Sequence, residues 1–475
     1  MGRDVSQRTF TEEDFSRFSE SLACETALLG KYLAEGRFSE AEQPTIGYEL
    51  EGWILDHRYV PAAKNKVFLQ ALQHPRVVPE LSRFNIEING EPRALDSGSL
   101  RAMHEEMQQT WNACQQAAHA RGLILLLIGT LPTIRESDLS LKNISRMNRY
   151  YALNQRIFEE RDGRPMHICI EGRETLDTHH EDCLLEAGTT SFQLHLALPQ
   201  RTFADHYNAS QLLSAPLIAV CANAPYLFRH DLWSETRVPL FEQAVETSDG
   251  SDRHRLRVLF GRSWLRSAEN VFSENHRLFR PLLPILLEEL EDSLPHLRLH
   301  NGTIWRWNRI IPGFVPGEAP RLRIEHRIMP AGPSLVDMIA NAALYFGAAT
   351  AYASRMPQIT QDFSFAACEA NFYTAAKDGL QTKLNWPGIA GSVDVVTLLL
   401  QEILPAAAEG LSRRGLGNEE ISFYLDIVRQ RLYNRQTGSE WQRRFVAKHG
   451  RHWDKLTSHY LENQRSGFPV HEWNI

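Results

Sequence analysis

Four short stretches of this 475-residue chain carry polar or chargeable side chains at every second position. They hold Glu49 and Glu51; Asn85, Glu87 and Asn89; Gln193 and His195; and Arg323, Glu325 and Arg327. A spacing of two puts side chains on one face of a β-strand. Two carboxylates held roughly 7 Å apart on such a face repel each other, cheaply in solvent and expensively in a pocket unless a cation sits between them. Wet strand faces are usually written in Thr, Lys and Ser, whereas these four use Glu, His, Gln, Asn and Arg. Glutamates with one histidine form a hard-cation set suited to Mg²⁺ or Mn²⁺. The arginines add a fork geometry that matches phosphate oxygens. A face lined with both is what phosphoryl transfer from Mg-ATP requires, because that chemistry is mainly positioning and charge neutralisation.

The elements that must position these groups follow from hydrophobic periodicity. Residues 45–55, 82–89, 189–198 and 321–328 alternate as strands, with Tyr48 and Leu50, then Phe84, Ile86 and Ile88, then Phe192, Leu194, Leu196 and Leu198 opposite the polar groups. The apolar run 123–128 fits a buried strand, and residues 167–170 a short one. Helical spacing predicts helices over 9–33, 100–120, 148–163, 205–225, 275–293, 335–354, 393–413 and 419–434. Thr11 followed by Glu12, Glu13 and Asp14 makes a strong helix start. Residues 247–252 read as a loop, 56–66 and 312–320 as loops able to cover a site, and the tail 466–475 as an ordered arm. His179-His180-Glu181-Asp182 reads as a solvated loop, His104-Glu105-Glu106 as an exposed helix face, and the Trp305/Trp307 pair as core. His326 faces away from the polar side and receives no role.

Composition bounds the function. The formal net charge of −7 gives no reason to expect nucleic acid as a partner, and no run approaches the length of a membrane span, Leu123 to Leu131 being the most apolar. The N-terminus has no secretory pattern, and six scattered cysteines without a CxxC pair point to a reducing cytoplasm rather than to a disulfide framework or zinc cluster. P-loop, GxSxG, HExxH and GxGxxG motifs are absent from the sequence.

Five blocks together resemble the glutamate–cysteine ligase family, and most closely its bacterial carboxylate–amine ligase branch. They are Gly47-Tyr48-Glu49-Leu50-Glu51, Asn85-Ile86-Glu87-Ile88-Asn89, Thr190-Ser191-Phe192-Gln193-Leu194-His195, Trp233-Ser234-Glu235-Thr236-Arg237 and Leu322-Arg323-Ile324-Glu325-His326-Arg327. The run from Asn301 to Arg309 and Pro330-Ala331-Gly332-Pro333 strengthen the likeness, which covers about residues 45–350. The resemblance implies an α+β fold like that of glutamine synthetase and guanidino kinases: a curved, mainly antiparallel sheet with a polar concave face and helices packed outside. It implies one ligase domain over 1–475, with a sheet-containing core at 40–335 and a helical portion at 336–475. It further implies Glu49, Glu51, Glu87, His195 and Glu325 as ligands of Mg²⁺ or Mn²⁺, with Glu87, Glu325 and Arg327 catalytic. By the same likeness Arg327 would meet the ATP phosphates, with Arg323 beside it, and Arg237, Gln193 and Asn89 the substrates; Arg309, just beyond the Trp305/Trp307 pair, reads as an anion partner on the substrate side. The expected partners are a small amino acid and an amine joined through an acyl phosphate, with neither nucleic acid nor membrane, and oligomeric state left open between monomer and homo-oligomer. A kinase of a carboxylate or guanidino group, or a non-catalytic nucleotide sensor, is the alternative on the same fold.

Overall fold

The computed structural model describes residues 4–5, 7–247, 256–289 and 291–475. Most of the predicted loop 247–252, its residues 248–252, and the first three residues lie outside that description. In chain order the strands are β1 (Thr45–Leu55), β2 (Val77–Pro79), β3 (Asn85–Asn89), β4 (Arg93–Ala94), β5 (Ile124–Leu126), β6 (Met166–Glu171), β7 (Thr175–His180) and β8 (Phe192–Leu198). Two longer ones follow after short bridging pairs, β9 (Asn308–Gly313) and β10 (Arg321–His326). An open sheet runs in the order β9-β10-β8-β1-β3-β2, with β4 and β5 also paired to β1, and every pairing in it is antiparallel. This is the mixed helical and antiparallel architecture expected.

The register explains the alternation. Leu50 stands opposite Ile88 and Phe192, and Ile324 opposite Leu196 and Ile310, so one face is apolar throughout. Two helices, Gln200–Cys221 and Leu335–Ala353, pack together beneath that face and against β8 and β10. All of Leu335–Ala353 is buried, as befits a helix apolar on every side. Tyr207 on the first helix donates its hydroxyl to the Asn308 carbonyl (2.9 Å). The C-terminal helices lock this layer. Arg431 of Asn418–Tyr433 reaches Asp337 (2.7 Å) and Asn341 (2.6 Å), and Glu420 accepts from the backbone of Gly98 and Arg101 at the start of helix Ser99–His119. The tail does form an ordered arm, with Trp473 against Trp441 and Tyr460 and the Val470 amide donating to Asp337. Contrary to the expectation that no run approaches the length of a membrane span, one helix among the described residues, Val395–Arg413, is long and apolar enough to cross a membrane; it packs against Leu335–Ala353.

Two expectations fail locally. The helix predicted over 275–293 is instead Ala268–Leu278, after which the chain leaves helical structure until a short turn at Glu291–Ser293. Pro281 and Pro284 each remove an amide donor and crowd the preceding turn, which outweighs the apolar spacing around them. His179 and His180 are not in a loop, because they end β7, the second strand of a hairpin with β6.

Candidate active site

The opposite face of the sheet is the floor of a cleft of about 1190 Å³. Cross-strand register assembles that floor. On β1, Glu49 stands between Asn89 of β3 and Gln193 of β8, while Glu51 faces Glu87. His195 of β8 stands between Gly47 and Glu325, and Arg309 of β9 lies across from Glu325. Five residues that sequence spreads over 277 positions (49 to 325) therefore meet on one surface.

The contacts are close. Glu49 Oε1 lies 3.1 Å from His195 Nε2. Donor atoms of Glu49, His195 and Glu325 all lie within 4.8 Å of one another. Glu325 accepts from Arg309 Nη2 (2.9 Å) and from Arg327 Nη1. Arg327 also donates to Gln193 Oε1 (2.8 Å), whose amide donates to Glu51 (3.0 Å). The Ser191 amide closes the network on the other Glu51 oxygen (2.8 Å).

Electrostatics separates two groups of acids. Burial pushes the Glu325 carboxyl up, but Arg309 and Arg327 outweigh it and hold the group well below the usual range. Glu49 is likewise lowered, burial being opposed by His195. The acids away from those cations go the other way. Burial and the nearby Glu49 charge push Glu87 to about 7. Burial and Glu51 push Glu186 to about 8, and Glu80 is raised well above its ordinary value by burial, Glu87 and Glu51. Carboxylates gathered this way ask for positive charge. Both ring nitrogens of His195 are buried without a well-aligned hydrogen bond. Glu49, His195 and Glu325 form a donor set that fits a divalent ion, and the raised acids Glu80, Glu87 and Glu186 stand close enough to Glu51 to feel its charge.

Not every expected residue reaches the cleft wall. Glu49, Glu51, Glu87, Gln193, Arg309, Arg323, Glu325 and Arg327 line it. His195, buried beside Glu49 and Glu325, does not, nor does Asn89, whose amide donates to Glu87 Oε1 (2.8 Å) and steadies that carboxylate. Arg237, expected to grip substrate, is buried behind the wall. Its guanidinium bonds the carbonyls of Ile328 (3.0 Å) and Arg327 (3.3 Å) and pairs with Glu235 (3.2 Å), so in this structure it braces the backbone of Arg327. Trp305 lines the cleft, whereas Trp307 is core and donates to Glu242. Residues 314–318 border the opening, but nothing from 56–66 does. Sequence reasoning missed Glu80, Glu186, Arg149 and Tyr150, all on the wall. Glu80 and Glu186 lie in segments without alternation, and Arg149 and Tyr150 open the helix predicted over 148–163, where nothing in the pattern marked them for the site.

The family model for glutamate–cysteine ligase family 2 matches residues 45–462. The chain belongs to this family. Among solved structures this family-2 chain is similar to a glutamate–cysteine ligase from Francisella tularensis in complex with AMP, at 12% identity and a TM-score of 0.56 over 90% of each chain. It is also similar to a bifunctional glutathione synthetase from Pasteurella multocida, at 9% identity and a TM-score of 0.50, matching 93% of this chain and 55% of that one. At such identities the likeness is one of fold. No curated protein sequence matches the chain significantly. Family membership makes it a ligase of the glutamate–cysteine ligase type in the broad sense.

Proposed function

We propose that this protein is an ATP-dependent carboxylate–amine ligase that joins an amino acid, most simply glutamate through its γ-carboxylate, to an amine such as cysteine. The observation that carries the reading is the meeting of Glu49, Glu325, Arg309 and Arg327 on the wall of one large cleft, with the buried His195 ring close to both carboxylates. Pockets for a single drug-sized ligand run to about 300–1,000 Å³, so this cleft has room for a nucleotide and an amino acid together. A divalent ion held by Glu49, His195 and Glu325, with the neighbouring acids Glu51, Glu80, Glu87 and Glu186 drawing further cations, would neutralise phosphate charge as it develops.

The chain's own groups supply the rest. A carboxylate does not react with an amine, so its oxygen takes the γ-phosphoryl group from ATP and ADP leaves. The amine then attacks the acyl phosphate carbon, phosphate departs with the bonding pair, and the nitrogen gives up a proton to complete the amide. Arg327, braced by Gln193 and from behind by Arg237, and Arg309 and Arg323 present fixed cations to the transferring phosphoryl group. The apolar walls Phe241, Ile311 and Phe314 limit water at the acyl phosphate. No protein nucleophile is needed. Cys183 lines the cleft, but burial and the nearby Asp182 push its thiol far up, which leaves it protonated at neutral pH. All six cysteines are free, in keeping with a reducing cytoplasm.

The reading is tested by ADP release from full-length protein with Mg²⁺, then Mn²⁺, across a panel of amino acids and amines. Release that requires both a carboxylate and an amine, with amide formed in equal amount, supports it. Release without any amine would instead make the protein a kinase. Nucleotide binding with no turnover in any mixture would make it a sensor.

A further inference from the structure

The β6–β7 hairpin contributes no residue to the cleft. Its inward face is built from Met166, Ile168, Ile170 and Leu176, all buried. The outward face is unusual in its donors. His167 stands across from His179, and Cys169 across from Asp177. His167 Nε2 lies 2.9 Å from Asp177 Oδ1, and the donor atoms of His167, Cys169 and Asp177 all fall within 4.8 Å of one another. The His179 ring stacks flat on His167 with centroids 4.6 Å apart. An ordinary solvated hairpin would spend these positions on Thr or Lys.

The platform is also held in place. The Cys169 amide donates to Gln243 Oε1 (2.7 Å), and Gln243 Nε2 donates back to the Cys169 carbonyl (3.1 Å). This reciprocal pair docks the edge of β6 on helix Arg237–Ala244 and fixes the strand that bears two of the donors. Imidazole, thiolate and carboxylate together select a borderline ion over Mg²⁺. The cleft, written almost wholly in glutamate, selects the reverse.

We propose that the outward face of this hairpin binds a divalent transition ion of the zinc class through His167, Cys169 and Asp177, with His179 or water as the fourth ligand. Binding converts the Cys169 thiol to a metal-bound thiolate and releases its proton to solvent, with no change in oxidation state. The site is separate from the cleft and does not rest on the ligase reading.

The probe is Co²⁺, titrated into reduced full-length protein in excess Mg²⁺ and followed by absorption. One equivalent should give tetrahedral ligand-field bands and a near-ultraviolet sulfur-to-metal band, both removed by added Zn²⁺. Cys169→Ser should abolish the sulfur band, and His167→Ala should weaken binding by at least about tenfold, since even outer partners of metal ligands are worth that much. Glu49→Gln should leave the sulfur band intact, which separates this site from the cleft. A wild-type protein without the band, a band that persists in Cys169→Ser, or an affinity untouched by His167→Ala would each overturn the proposal.

Discussion

Glu325 and His326 are consecutive residues of β10, and both are buried, but they face different surroundings. Glu325 points into the cleft, held charged by Arg309 and Arg327. His326 points into the helical layer, where its ring lies flat over Tyr345 at 4.1 Å and its Nδ1 sits 2.7 Å from Asn308 Oδ1. No charge offsets its burial, which alone pushes its pKa down to about 3. One strand thus spends one face on concentrated charge and the other on excluding it. The apolar face stabilises the fold, and that stability lets the polar face hold groups that repel one another.

The comparison can be broken most sharply on the cleft side. Glu325→Gln keeps the shape but leaves Arg309 and Arg327 without their counter-charge, and turnover should fall by about three orders of magnitude, the upper end for loss of one preorganised electrostatic group. Steady-state ADP release with a circular-dichroism check of the fold measures it. Unchanged turnover would remove Glu325 from the machinery.

On the other face the effect should be on stability alone. Ile324 is wholly buried, and Ile324→Ala should cost about 3 kcal/mol in urea unfolding while the folded fraction keeps its turnover. A large loss of turnover per folded molecule would show that the two faces are not separable.

The acids can be sharpened by pH. With folded-state values near 7 for Glu87 and 8 for Glu186, the folded chain keeps protons that the unfolded chain has already lost. Stability in chelator should therefore fall as pH rises from about 5 to 8, by on the order of 6 kcal/mol. Millimolar Mn²⁺ should reverse that slope and release protons on binding, as pH-stat titration and urea midpoints will show. A flat profile in chelator would contradict the crowding of these carboxyls.

His326 predicts the opposite sign. Its folded pKa lies below the unfolded value, so the stability of the neutral form is present above about pH 6.5 and is lost as pH falls toward 3. Between about pH 7 and 5.5, His326→Gln should flatten the decline by about 1 kcal/mol. An identical acid limb in both proteins would mean that the ring is not held neutral.

How far the sequence could be read depends on how regularly it was written. β1, β3, β8 and β10 were legible because each pairs a strictly apolar face with a polar one, and the Thr11–Asp14 capping box marked the first helix to within a few residues of Glu12–Ala34. β2 is three residues long, too short for any period to show. The segment after Leu278 looked helical because its leucines recur at helical spacing, yet Pro281 and Pro284 had already forbidden it, and its Ile285 and Leu287 wall the cleft instead. Glu80 and Glu186 were invisible for a related reason. A lone acid near a turn has the same local signature whether it meets water or three other carboxylates.

By itself the sequence determined which side chains share a face. The two-residue period is a local property of an extended chain, and no neighbour is needed to enforce it. It also held the donor types on which the proposed chemistry rests, types that a plain solvated face has no use for. Only the tertiary structure decided which faces meet. Glu49, Glu87, His195 and Glu325 become one site through antiparallel registers fixed by apolar packing beneath the sheet, and that same packing turned Arg237 from the cleft to the carbonyl of Arg327.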